Sequence, residues 1–593
     1  MKKKLCLLFA LFAGAALSAQ THVSIPLEDE VYRLIDAAEK RGLCGEQSPV
    51  KPYTRDQVRA VLGEILASGD DRLSEKERGI LREAAGRFED APRIRITADA
   101  AFSAGFYAGD GLKYGTRDWL SAALQADIGD WFSFGFNFGG GLLKVDREAY
   151  TYNAYYSTGE NPNQDQKWMI DVYGDPPAYF PFSYRKSWDA SVWNIRDINN
   201  SGQIGWPEGF SIGYSIKPEL GGAVFDGRIR YRFGRLDREW GTAPEGNSLV
   251  LNRNAAPFVA AEATAVFSDW LSLSTLTGML EYDPVLTGLG NWGFQNAFSI
   301  SMMEVRYKNY FTMDFGSTAV WPKRFELMYF LPNPLAFLFQ GASGDYDNVG
   351  AFLDLKGTWP GIGSLWASFF LDEATPEKDF FILDRMMYAY QAGISAPLPW
   401  LSFATAALSY TKIEPYCYTH QRIDVPWIVG QEGGRAVQEA YVNFGSPLGS
   451  YLPPNSDEIK ARLDFMAGMK TALHLQYQMI RHGADHGSNA VDGSHLYSEL
   501  AGNRSGDPML RKYFLRDGAY QWFHIVKAGF RSRLGGPRPA FEIYGEAGFV
   551  ISYYTNIEGP ANSGSPSSYR IVDTPEYPHS KSVIAAVGIR VSL

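Results

Sequence analysis

The stretch from Ser582 to Leu593 alternates without a break. Val583, Ala585, Val587, Ile589, Val591 and Leu593 share one parity, and Ser582, Ile584, Ala586, Gly588, Arg590 and Ser592 share the other. Successive side chains of a strand point to opposite faces, so this segment predicts a strand with one uniformly apolar side. An apolar outer face backed by a mixed inner face is the signature of an outer-membrane barrel strand. That reading constrains compartment and architecture before any chemistry is considered.

The other end agrees. Lys2, Lys3 and Lys4 precede an apolar run from Leu5 to Leu17, and Ser18-Ala19-Gln20 offers small residues for cleavage after Ala19. This is the layout of a secretory signal, and the run is too short to span a bilayer. Cys6 would leave with it. Cys44 and Cys417 remain, too far apart for a disulfide framework and without metal-type spacing. No later run reaches the roughly 18 apolar residues of a membrane helix. A helical membrane protein is thereby excluded, but a barrel is not, because only alternate residues must be apolar. Aromatics at 15% and 60 glycines suit girdled strands and tight lumen positions. The net charge of -10 argues against a nucleic-acid partner.

Downstream of the signal the apolar period is helical. Val31, Leu34, Ile35 and Ala38 lie on one helix face before Gly42. Thr54-Arg55-Asp56-Gln57 and Ser74-Glu75-Lys76-Glu77 are capping boxes, each opening an apolar helical run. These helices predict a small periplasmic bundle, which could serve as a spacer or could bind or gate. From Arg93 the period becomes two. Phe132, Phe134, Phe136 and Phe138 alternate with Ser133, Gly135 and Asn137, and Ile229, Tyr231 and Phe233 alternate with Arg228, Arg230 and Arg232. The same rhythm runs through Val526, Ala528 and Phe530, and again through Phe541, Ile543, Ala547, Phe549 and Ile551. Gly129-Asp130-Trp131, Ser268-Asp269-Trp270 and Pro399-Trp400 read as periplasmic turns with an interfacial Trp. Long polar stretches near 148–200, 414–450, 483–520 and 555–581 read as extracellular loops. The expected organisation is a signal peptide over 1–19, a periplasmic helical region over 20–92 and an all-β outer-membrane barrel over 93–593. At roughly ten residues per strand plus loops, the barrel should have about 16 to 18 strands.

Four stretches carry a resemblance. They are Ser24-Ile25-Pro26 through Val31-Tyr32-Arg33-Leu34-Ile35 to Pro52-Tyr53-Thr54-Arg55; Arg235 through Glu239-Trp240-Gly241 to Ser248-Leu249-Val250-Leu251-Asn252-Arg253-Asn254-Ala255-Ala256-Pro257; Ser409-Tyr410-Thr411 through Pro415-Tyr416 to Tyr418-Thr419-His420; and Leu448-Gly449-Ser450 through Pro453-Pro454-Asn455-Ser456-Asp457-Glu458 to Arg481-His482-Gly483. In this order they resemble the Wzi-like capsule-assembly outer-membrane protein family. The resemblance implies a monomeric barrel with a periplasmic helical bundle that binds capsular polysaccharide and helps attach it to the cell surface. The chain departs from the family pattern in having Glu239 before Trp240 and in ending on Leu593.

Arg235, Arg238, Trp240, Asn252, Arg253 and Asn254 are the candidate polysaccharide-binding residues. Sugar hydroxyls take amide and guanidinium donors, acidic sugars take cations, and an indole face packs on pyranose C–H surfaces. The competing reading is a structural lumen network in which Trp240 fills space. His482, Asp485, His486, Asp492 and His495 lie among glycines and read as loop, and Asp345, Asp347 and Gly350 begin a calcium-type pattern that Val349 and Lys356 break. No metal or other cofactor is expected. Asp372-Glu373 and Asp457-Glu458 are adjacent on strands and so face opposite sides. With no nucleophile or phosphate-loop motif, no enzymatic activity is expected. The expected partners are surface polysaccharide, outer-membrane lipid and the barrel-insertion machinery. A porin or substrate-specific channel is the alternative, its arginine-rich lumen favouring anions.

Overall fold

The computed structural model describes residues 22–68, 71–88, 93–108, 112–128, 131–145, 192–193, 210–243, 246–253, 255–280, 296–322, 325–343, 347–373, 387–414, 417–418, 423–425, 435–437, 439–443, 446–452, 454, 456–483, 519–535, 539–558, 570–573 and 580–593. The signal-peptide reading of 1–19 lies outside them. So do most of the loops read at 148–200 and 483–520.

The wall is a closed antiparallel barrel of 18 strands, the upper end of the expected range. Each strand pairs with its neighbours in the chain, and the first, Ile94–Ala108, pairs with the last, Ser580–Ser592, from Asp99 against Ser592 to Ala108 against Val583. The terminal alternation is resolved as expected: Val583 is 46% exposed on the outside, while Ile584 is 0% exposed in the lumen. No helix among the described residues is long and apolar enough to cross a membrane, so crossing falls to the strands. This is an outer-membrane barrel.

Short turns cluster at one end. Trp131, Trp270 and Trp400 are exposed there, at the height where an amphipathic ring meets both hydrocarbon and water. One turn, Phe225-Asp226-Gly227, has positive φ at all three residues, 54°, 55° and 80°. Paired positive φ is the geometry that matches the twist of the flanking strands, and Gly227 adopts it without Cβ strain.

Three helices cap this periplasmic end: α1 Val31–Lys40, α2 Arg55–Ser68 and α3 Glu75–Gly86. Both capping boxes form. Thr54 N donates to Gln57 Oε1 at 2.8 Å and Gln57 N to Thr54 Oγ1 at 3.3 Å, and Ser74 and Glu77 cap α3 reciprocally. Val31, Leu34, Val58, Leu62, Ile80 and Leu81 bury the shared face, and Phe403, Met466 and Ala472 from the barrel join the same core. Polar ties complete the dock: Gly361 N donates to Lys40 O at 2.8 Å, and Lys470 pairs with Glu83 at 3.1 Å.

Candidate functional site

The lumen is occupied from both ends. From the periplasmic side, the stretch 22–53 threads along the inner wall. Ser24 N donates to Glu219 at 3.1 Å, Arg232 donates to Ser24 Oγ at 2.5 Å and to Pro52 O at 3.0 Å, Arg306 donates to Glu46 O at 3.1 Å, and Lys356 pairs with Glu39 and Glu46. From the opposite side, the chain turns inward after Leu236 until Glu239–Trp240 forms a two-residue ribbon with Val50–Lys51. Buried charges of this kind persist only when paired, and here the pairing also fixes where each segment sits.

Glu239 is the centre of that meeting. It is fully buried and accepts from Lys51 Nζ at 2.7 Å and from Arg253 Nε at 2.6 Å. Burial alone would push its carboxyl up, but the Arg253 guanidinium and the Lys51 ammonium outweigh it and bring it down to about 2. Glu239 stays ionised at every physiological pH and works as an electrostatic lock.

Above the lock an apolar core crosses the lumen. Leu249, Val250 and Leu251 from one inward loop and Tyr418, Tyr441 and Leu448 from another pack on Phe298, Phe370, Phe523, Val550 and Ile584 of the inner wall. Tyr418 donates to Leu249 O at 2.9 Å and Tyr441 to Val250 O at 2.6 Å, and their rings stack at 5.5 Å with 20° between planes. Asn247 accepts from Ser450 Oγ at 2.8 Å and from Tyr451 N at 3.1 Å, while its carbonyl accepts from Gln391 at 2.7 Å. A buried hydroxyl or amide is tolerated when it has such a partner, so these contacts join two loops into one plug.

The candidate sugar-contact residues divide across this arrangement. Arg238 is buried, donates to the carbonyls of Gly234 (3.0 Å), Leu236 (3.1 Å) and Phe258 (2.8 Å), and lies 4.9 Å from the Phe258 ring centroid. Asn252 N donates to Leu448 O at 2.7 Å, and its side chain donates to Leu448 O and Gly449 O. Arg253 holds Glu239, and Trp240 is buried beside Val50. These four sit inside the plug. Arg235 does not join them: it pairs with Val259, which is exposed on the outer wall, and shares the outward parity of Phe233. Asn254 lies outside the described residues, as do Asp345, Asp485, His486, Asp492 and His495. Among the described residues no group of three His, Cys, Asp or Glu side chains is placed to hold a metal.

Sequence reasoning missed Asn247, Tyr441 and Gln391, which act only through contacts far along the chain. It also missed a cavity of about 1170 Å³ at the periplasmic end. Arg230, Arg232, Glu262 and Thr264 line it from the wall, Thr54 and Gln57 from the start of α2, and Trp240 from the plug. The indole Nε1 of Trp240 has no hydrogen-bond partner among the described residues.

No protein-family model and no curated protein matches the chain. Solved structures do. Wzi, an outer membrane protein involved in group 1 capsule assembly in Escherichia coli and described as a carbohydrate-binding β-barrel, aligns over 96% of this chain and 99% of its own at 10% identity, with a TM-score of 0.51. Acinetobacter baumannii OccAB2 aligns over 85% of this chain and 99% of its own at 7% identity and a TM-score of 0.40. Pseudomonas aeruginosa OccK7 (OpdD) covers the same shares at 10% identity and 0.39. At these identities the likeness is one of fold.

Proposed function

We propose that this barrel binds surface or capsular polysaccharide and assists its attachment or assembly at the cell surface, without catalysing a reaction. The observation that carries the reading is the filled lumen. Helices cap one end, and two inward loops build a hydrophobic core across the interior, which supports an anchor and platform over a conduit. A fold shared with a carbohydrate-binding barrel accords with that role. Glycan contact then falls to extracellular loops, and Arg238, Trp240, Asn252 and Arg253 support it by holding the plug that carries them. Asn254 remains a candidate for direct contact, whereas Arg235 faces the outer wall, away from those loops.

A second reading, a substrate-specific channel, draws on the periplasmic cavity and its arginines. Two measurements separate them. Deleting the protein is expected to shift surface glycan from cell-bound to shed, and the purified barrel in planar bilayers is expected to show no steady open conductance. Unchanged glycan retention with a stable open pore would select the channel.

A further inference from the structure

The wall departs from its apolar-outside rule where Ser299, Ser301 and Ser317 lie. Ser299 and Ser301 alternate with Phe298, Ile300 and Met302, which fill the lumen, so both serines face outward, and Ser317 pairs with Ser301 on the next strand. An unpartnered hydroxyl facing hydrocarbon is strongly disfavoured. Yet the three are only 5%, 4% and 2% exposed. The connection between the strands Phe311–Pro322 and Asn348–Trp359 covers them: its segment 325–343 folds down over the outside of the barrel.

The contact is specific. Asn333 N donates to Ser301 Oγ at 3.0 Å, while Ser317 Oγ donates to Asn333 O at 2.9 Å and accepts from Ala336 N at 3.1 Å. Tyr329 packs on outward-facing Trp321 with ring centroids 5.1 Å apart, and Ala297, Ala319, Val349 and Ala336 share that cluster. Ser301 lies six residues up its strand from the rim residue Tyr307. At a rise of ~3.3 Å per residue and a tilt of ~40°, Asn333 sits about 15 Å above the rim, past the middle of an apolar band ~25 Å tall.

Irregular backbone at that depth survives only if its peptide groups are satisfied. The N–H groups of Leu331-Pro332-Asn333-Pro334-Leu335 meet the condition. The prolines bring no N–H, Leu335 N donates to Asn333 Oδ1 at 3.2 Å, and the N–H groups of Phe330, Leu331 and Leu338 close onto Glu326, Leu327 and Leu335 carbonyls at 3.1, 3.0 and 3.0 Å. From Leu327 to Ser343 the sequence carries no charge. Leu327, Phe330 and Leu338 point away from the wall at 53%, 52% and 64% exposure, continuing the apolar outer surface of Leu353 and Leu365.

We propose that segment 325–343 is an external strap immersed in the outer leaflet, whose exposed face takes the acyl chains of membrane lipid. Its depth, the absence of charge from Leu327 to Ser343 and its continuity with the lipid-facing wall select acyl chains as the occupant.

The test uses the full chain in phosphatidylcholine vesicles. Leu331→Cys and Leu338→Cys are labelled with bimane; Cys44 and Cys417 are buried and serve as the silent background. Val526→Cys on the outer wall is the lipid reference and Phe225→Cys in a periplasmic turn is the water reference. Lipids bearing a nitroxide on the acyl chain are expected to quench the strap labels about threefold, as at position 526, with little effect from aqueous iodide. Quenching by iodide and not by nitroxide lipid would overturn the proposal. So would disulfide-linked dimers from Leu338→Cys, which would assign the face to a second copy. Replacing Ser301 and Ser317 together by Ala should move the labels toward iodide quenching while heat-modifiable gel mobility shows the barrel intact; labels that stay lipid-quenched would remove the serines from the anchoring.

Discussion

Glu239→Gln is expected to unlock the plug and let a silent barrel conduct. The substitution keeps the side-chain shape and removes the charge to which both Lys51 and Arg253 donate, each within 2.7 Å of it. Breaking a buried ion pair from one side costs about 3–5 kcal/mol, because the remaining charge stays buried without its partner. The carboxyl's own titration gives a similar size. Its value of about 2 lies below that of an unfolded glutamate, so its contribution is fully present above roughly pH 4.5 and is lost as pH falls toward 2. That lowering corresponds to about 3 kcal/mol. Denaturant unfolding in detergent, followed by Trp fluorescence, should show a lower midpoint for the variant at pH 7 and a shrinking difference between the two proteins below about pH 4. Single-channel recordings at pH 7 should show openings in the variant alone. A variant as stable and as silent as the parent would mean that the ribbon of Val50–Lys51 with Glu239–Trp240 is held by other contacts.

Phe370→Ala should detach the extracellular side of the plug from its wall. Phe370 is fully buried, 5.0 Å from the Tyr418 ring and 5.4 Å from that of Tyr441. Truncating a buried Phe to Ala costs about 3–5 kcal/mol, most where the surroundings cannot collapse, and a barrel wall cannot. The expected signature is faster protease cleavage within 414–455 on intact cells, with heat-modifiable mobility of the barrel unchanged. If the glycan-binding reading holds, surface glycan should be shed in the same strain. Unaltered cleavage would show that the loop is held without this contact.

The outer shape of the molecule was legible because it follows a local rule. Alternation at Val583–Leu593, the aromatic run Phe132–Phe138 and the two capping boxes need no knowledge of partners, and each appears as read. The plug was not legible for the opposite reason. Lys51 meets Glu239 across 188 residues of chain and Asn252 meets Leu448 across 196, and no periodicity reports such a meeting. The candidate sugar site shows where local reading misleads. Arg235 and Arg238 look like one cluster, but Arg235 keeps the parity of Phe233 and faces outward, while the chain turns inward after Leu236. That parity was present in the sequence and could have divided the two. The outward serines were hidden in a different way: polar residues at alternate positions read as lumen-facing until the strap that covers them is seen.

The pairing of the first wall strand with the last sets an order of construction. Ile94–Ala108 waits for Ser580–Ser592, so the cylinder stays unsealed until nearly the whole chain has been exported. Of the material that ends up inside it, Val50–Lys51 is made before any wall strand. Until the last strand arrives, the sheet carries two unpaired edges, which are templates for wrong pairing.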